Sequence, residues 1–201
     1  MKRNLVALSV LCASLAPAFA FGADAETIVT PGGTVHFVGQ VVNGTCAVDA
    51  GSVDQTVQMG QVRANTLNKV GDVSENVGFS IVLNECAPGA ASDVEGVTLP
   101  TTAAIIFSGV TVGGTGSDGT VTTNPTILSL QSSAAGMANN VGIQVLDRAG
   151  KPVSFDGKTA STATTLTDGT NILPFQARYT ATGKATAGTA NADATFTIQY
   201  Q

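Results

Sequence analysis

Ala194-Thr195-Phe196-Thr197-Ile198-Gln199-Tyr200 is the stretch whose reading decides the fold class. Apolar and polar side chains alternate along it, and Thr, Phe, Ile and Tyr all favour a pleated, half-buried surface. It reads as a strand with one face on a core. Only Gln201 follows it, so the strand on its outer side is expected to come from elsewhere. The same period of two recurs at Phe175, Ala177 and Tyr179, at Val141, Ile143 and Val145, and at Phe79, Ile81 and Leu83. Val53, Val57 and Met59 share one parity, and Val35, Phe37, Gly39 and Val41 alternate with Thr34, His36, Val38 and Gln40. Shorter apolar runs at Ala103–Phe107 and Ile127–Leu130 add strands. Turn signals separate them: Asn43-Gly44, Pro88-Gly89, Gly113–Gly119, Asp147–Gly150, Asp156-Gly157 and Asp168-Gly169. Asn and Gly make Arg63–Val77 a loop rather than a short helix. Roughly six to nine short strands with frequent turns predict an all-β sandwich in one domain.

The opposite end of the chain reads as an address. Met1-Lys2-Arg3-Asn4 is a basic start, Leu5–Ala16 is an apolar run, and Pro17-Ala18-Phe19-Ala20 supplies a small-x-small cleavage pattern. The run is shorter than the ~20 apolar residues of a membrane-spanning helix. Residues 1–22 are therefore expected to be a signal peptide cut between residues 20 and 25, and the protein to be exported. Lipoprotein processing at Cys12 is disfavoured by the bulky Leu11 before it.

Composition narrows function. Seven Lys or Arg face fourteen Asp or Glu after Gly22, a net charge of −7. That balance excludes the clustered basic surface a nucleic acid or anionic membrane requires. His36 is the single histidine, which removes most histidine-based metal and acid–base chemistry; it falls on the polar face of its strand. Gly114-Thr115-Gly116-Ser117-Asp118-Gly119 matches a dinucleotide fingerprint, but Thr120-Val121-Thr122-Thr123-Asn124-Pro125 follows and cannot be the helix that motif needs. One calcium-type turn without stacked copies, at Gly113–Asp118, makes no site. Asn43-Gly44-Thr45 is a glycosylation sequon without meaning outside a eukaryotic host, and Asp93 with Glu95 is an unperturbed loop pair. No enzyme, cofactor, metal site or small-molecule substrate is expected.

Export also changes how the cysteines read. Cys12 leaves with the signal peptide, so Cys46 and Cys86 remain. An even count in an oxidising compartment, without C-x-x-C spacing, predicts one structural disulfide.

Every odd position from Val29 to Val41 is apolar, Gly or Pro. Read alone, this segment is either a disordered terminus or a strand for a sheet edge in another molecule.

Several stretches carry a resemblance: Gly32-Gly33-Thr34-Val35-His36-Phe37, Cys46-Ala47-Val48-Asp49-Ala50-Gly51-Ser52-Val53-Asp54-Gln55-Thr56-Val57, Leu130-Gln131-Ser132-Ser133-Ala134-Ala135-Gly136, Pro174-Phe175-Gln176-Ala177-Arg178-Tyr179 and Asn191-Ala192-Asp193-Ala194-Thr195-Phe196. Together they resemble the major subunits of type 1 fimbriae of Gram-negative bacteria, across essentially the whole mature chain. The departure is Ala87–Thr126, longer and richer in Gly and Thr. The resemblance implies an incomplete immunoglobulin-like β-sandwich lacking its last strand, completed by a donor strand from a neighbouring subunit. It implies a donor extension over residues 23–39 and a pilin domain over 40–201. Val29, Gly33, Val35, Phe37 and Gly39 would insert into the groove. Gly188, Phe196, Ile198 and Tyr200 would form the C-terminal strand that a periplasmic chaperone captures, with the Gln201 carboxylate held by chaperone basic residues. The partners implied are further copies in a helical homopolymer, that chaperone, an outer-membrane usher and minor tip pilins, at the cell surface. A minor adaptor pilin of the same system shares all these motifs and is the alternative to a shaft subunit.

Overall fold

The computed structural model describes residues 30, 32, 34–39, 41, 44–91, 94–115, 121–133 and 136–201. The expected signal peptide, Val29, Gly33, Asn43, Asp93 and the tip of the glycine-rich loop lie outside the described residues. The chain divides into two units, Met1–Gln40 and Val41–Gln201. In the first, the described residues form no regular secondary structure, and Val35, Phe37 and Val38 are exposed, Phe37 to 93%.

The second unit is almost entirely β. In chain order it contains β1 (Ala47–Val48), the four-residue helix α1 (Ala50–Val53), β2 (Val77–Cys86), β3 (Thr102–Ser108), β4 (Thr111–Thr115), β5 (Val121–Leu128), β6 (Val141–Leu146), β7 (Asp156–Ala160), β8 (Thr164–Thr165), β9 (Gly169–Ala181) and β10 (Thr195–Tyr200). All these strands pair antiparallel. One sheet runs β1-β2-β9-β6-β5-β4 and the other β10-β3-β7, with β8 also on β3. This is the two-layer sandwich that alternating strands require to bury one face each.

β9 shows why the pattern works. From Asn171 to Ala177 its odd residues are buried and its even ones exposed, so Leu173, Phe175 and Ala177 enter the core with Tyr179 beyond them. Ile81 and Leu83 of β2 and Ile143 and Val145 of β6 join them; Ala103, Ile105 and Phe107 of β3 face them from the other sheet. The Phe107 ring lies 5.2 Å from Phe175 at 87° and 6.1 Å from Phe155, edge-to-face geometries favoured by the aromatic quadrupole. Pro174 sits within β9, where a missing N–H normally disrupts a central strand. It is tolerated because the β6–β9 pairing ends at Leu146 opposite Gln176, leaving Pro174 opposite only Ser80 of β2.

Two expectations need correcting. The parity Val53-Val57-Met59 does not make a paired strand. Asp49 accepts a bond from the Gly51 N–H at 2.9 Å and caps α1, which turns Val53 outward, 66% exposed. Val57 and Met59 do point inward, half-buried against the core, in an extended segment assigned to no strand. Likewise Thr34–Gly39 forms no strand. Arg63–Asn76 is a loop with a single 3-10 turn, Ala64–Thr66, and Val77 begins β2.

Asp147, which directly follows β6, is 5% exposed. Its carboxylate accepts bonds from the N–H groups of Ala149 and Lys151, and from both the N–H and the hydroxyl of Thr162. Burial alone would raise its pKa, but the bonds from Thr162, Lys151 and Ala149 outweigh that and lower it below 3.8. A depressed folded pKa means stability present above the unfolded value and lost as pH falls through the folded one. Asp147→Asn is therefore expected to lower stability by about 1–2 kcal/mol at pH 7. The gap from wild type should narrow below about pH 4, as urea titrations at several pH values would show; a gap independent of pH would contradict the assignment.

Candidate functional site

The C-terminal strand lies at a sheet edge. On one side β10 pairs with β3 in unbroken register, from Thr195 opposite Ser108 to Tyr200 opposite Ala103. On its other side no strand pairs with it among the described residues. Thr195, Thr197 and Gln199 are exposed, while Phe196, Ile198 and Tyr200 are half-buried against the core. The edge thus offers a run of backbone hydrogen-bonding groups above an apolar row left partly open.

The edge of the other sheet on this side is built by the chain leaving Cys46. Ala47 and Val48 pair with Asn84 and Leu83. Next, the Asp49 N–H donates to the Val82 carbonyl at 2.9 Å, Ser52 Oγ accepts from the Val82 N–H at 3.0 Å, and Gln55 Nε2 donates to the Ser80 carbonyl at 3.2 Å. Residues 47–55 thereby run along the outer edge of β2. Beyond them come Val57 and Met59, half-buried like Val48. The Tyr200 hydroxyl joins the two edges by donating to the Cys46 carbonyl at 3.3 Å. Burial raises the pKa of that hydroxyl more than the bond to Cys46 lowers it, so it stays a donor at neutral pH. At the other end of β10 the Phe196 ring is 6.5 Å from Phe107.

Cys46 and Cys86 form a disulfide with Cα atoms 4.1 Å apart. It clamps this edge to the end of β2, where the Ala87 N–H also bonds the Thr45 carbonyl at 3.0 Å. Phe196, Ile198, Tyr200 and the disulfide are therefore brought together. Gly188 is not: it lies ahead of β10, crossing the main chain at Met137 and Ala138. Gln201 continues the β3 pairing opposite Thr102, exchanging main-chain bonds of 2.9 and 3.0 Å. Val35, Phe37 and Gly39 belong to the separate N-terminal unit.

Sequence reasoning did not place Val48, Val57 and Met59 at this site. The shared parity of Val57 and Met59 was visible, but nothing local shows that the segment lacks a partner. Among the described residues no group of three His, Cys, Asp or Glu side chains is placed to hold a metal.

A sheet edge unpaired among the described residues, over a half-buried apolar row, is suited to taking up an extended peptide strand. Residues 35–201 match the family described as fimbrial protein. The chain is 52% identical, over all of both chains, to the type-1 fimbrial protein A chain of Escherichia coli. Among solved structures it is similar to a chaperone–usher pilus studied for rod uncoiling, at 29% identity and a TM-score of 0.68, over 88% of this chain and all of that one. It is also similar to the P pilus rod subunit PapA, at 28% identity and a TM-score of 0.61, over 79% of this chain and all of that one. The incomplete β-sandwich and the full-length similarity agree: this chain belongs to the fimbrial protein family and is a structural pilus subunit exported to the cell surface.

Proposed function

We propose that this subunit builds a pilus shaft by donor-strand exchange, residues 23–39 of one copy filling the trough beside β10 in the domain, residues 40–201, of the next. The observation that carries this reading is the unpaired edge of β10 with Phe196, Ile198 and Tyr200 half-buried beneath it. In the donor, Val29, Gly33, Val35, Phe37 and Gly39 share one parity, so one face of an extended tail meets that apolar row. Burying Val29, Val35 and Phe37 supplies roughly 5–9 kcal/mol before ordering costs. The main-chain ladder satisfies the open edge in the same step.

Until a donor arrives, the same edge is a capture site for a periplasmic chaperone, which hands the subunit to an outer-membrane usher. Minor tip pilins complete the filament. Exchange of one strand for a better-fitting one needs no cofactor and no catalysis, and the subunit is not an enzyme. The contact is head-to-tail and does not close on itself, so it generates a filament.

The test compares two mature domains lacking the natural tail. Each carries the same flexible linker after Gln201, one followed by a copy of residues 26–42 and the other by a scrambled copy. The first is expected to be a soluble monomer that unfolds at much higher denaturant. Equal midpoints would show the domain complete without a donor and overturn the reading.

A further inference from the structure

β9 spans Gly169–Ala181, but β6 pairs with it only as far back as Gln176, opposite Leu146. From Gly169 to Phe175 one side of β9 is paired with β2 and, among the described residues, no strand pairs with the other. Bonds nearby fix where the main-chain groups of this stretch point. The Val82 N–H and carbonyl are bonded to Ser52 Oγ and the Asp49 N–H, on the side of β2 away from β9. Main-chain groups alternate sides along a strand, so Ile81 and Leu83 turn theirs to β9, and Leu173 and Asn171 opposite them turn theirs to β2. Thr170, Ile172 and Pro174 therefore aim theirs at the open side. Thr182 has the same parity, and its N–H donates at 2.9 Å to the carbonyl of Asn140, the residue before β6.

This open stretch has the features of a strand acceptor. Thr170–Pro174 carries no charge. Ile172 is 61% exposed, and Val82 opposite it is half-buried. The turn after β6 does not fill the gap: its Gly150 N–H returns to the Asp147 carbonyl, and with Pro174 and Gln176 it lines a hollow. Bare amides beside an exposed apolar side chain invite pairing with another chain. Pro174 breaks that run, because it has no N–H to give and its ring occupies the space a partner strand's carbonyl would enter.

We propose that Pro174 guards a second sheet edge, keeping the Thr170–Pro174 stretch of β9 from pairing with the same stretch of a second copy and so restricting strand uptake to β10. Two copies related by a two-fold axis at Ile172 would set residue 170 of each opposite residue 174 of the other, with one donor missing per copy. The guard is a specificity device: it determines where a strand cannot add. It acts in the folded domain whether or not a donor is bound, so it goes beyond strand exchange itself.

The test uses the oxidised mature chain as wild type, Pro174→Ala, Ile172→Lys and the double variant, compared by sedimentation velocity over a concentration series. Restoring one donor per copy is expected to make Pro174→Ala self-associate about tenfold more tightly than wild type. Ile172→Lys, which places a charge on the β9 edge and leaves β10 untouched, should return the double variant to the wild-type level and do nothing alone. The excess over wild type is what is read, so a failure of donor-strand exchange would lower all four alike and remain distinguishable. A folded Pro174→Ala chain that associates no more than wild type, or an excess that survives Ile172→Lys, would overturn the proposal. If Pro174→Ala does not fold, amide exchange on wild type decides. An Ile172 N–H exchanging near the solvent rate beside a protected Leu173 supports the open, guarded edge, and equal protection of the two refutes it.

Discussion

Gly188→Val is expected to prevent the domain from folding stably, with or without a chaperone. A Cβ at this position would lie 2.4 Å from the Met137 carbonyl carbon and 2.4 Å from the Ala138 nitrogen. Neither contact can be relieved by turning a side chain, because both atoms are main chain. The crossing is locked by bonds on either side: the Ala138 N–H donates to the Thr189 carbonyl at 2.9 Å, and the Thr189 N–H to the Gly136 carbonyl at 3.0 Å. Separating the strands enough for a side chain would break both. The expected loss is about 3 kcal/mol or more, a large share of a typical domain's 5–15 kcal/mol. Gly78→Ala is the control, since a Cβ there meets nothing within 4 Å; it should leave stability almost unchanged. Urea unfolding of the refolded chains measures both. A stable Gly188→Val domain that merely failed to bind a chaperone would return the residue to the capture role implied by family resemblance.

The paired change Cys46→Ser with Cys86→Ser should be comparably severe. The disulfide closes a loop with a sequence separation of 40, and freeing that loop in the unfolded chain costs about 4 kcal/mol in the chain-entropy model. Both positions are 4% exposed, so each serine also buries a hydroxyl. Changing both avoids a lone thiol that could pair between molecules. A midpoint shift in urea worth under about 1 kcal/mol would show the bridge dispensable. The local consequence falls on the trough, because the Cys46 carbonyl is the acceptor for Tyr200. Loss of the clamp should loosen the edge of β1 before it affects β9.

How far the sequence could be read depends on what each strand buries. β2, β6, β9 and β10 carry their apolar residues at spacing two, and all four were legible. β7 reads Asp-Gly-Lys-Thr-Ala and is almost wholly exposed; β8 is two threonines. Neither shows a hydrophobic period, because both are held to β3 by main-chain pairing. Val53 misled because the N-cap Asp49, four residues ahead, outweighed the strand parity. Val57 and Met59 had the right parity, but parity does not report whether a partner exists. The role of Gly188 is invisible in its own neighbourhood: the atoms that require a glycine belong to residues some fifty positions earlier. At the trough, the β10 lip was plain from the sequence, while the Val48–Met59 lip needed the path of the chain along β2.

The three other rims of the sandwich show what kind of polymer this monomer can make. The β7 rim carries Asp156 and Lys158, charges that an added strand would have to desolvate. The β4 rim is interrupted by a register shift between Thr111 and Val112, the sort of irregularity that spoils continued pairing. β1 is two residues long. Among the described residues, β10 alone combines six residues, no charged side chain and an unbroken register. A building block with one such acceptor and one tail has a functionality of two with unlike ends, and polymer chemistry then permits linear growth without branching. Every filament so made has one unfilled trough at one terminus and one unused tail at the other, so its two ends are chemically distinct and need different terminators.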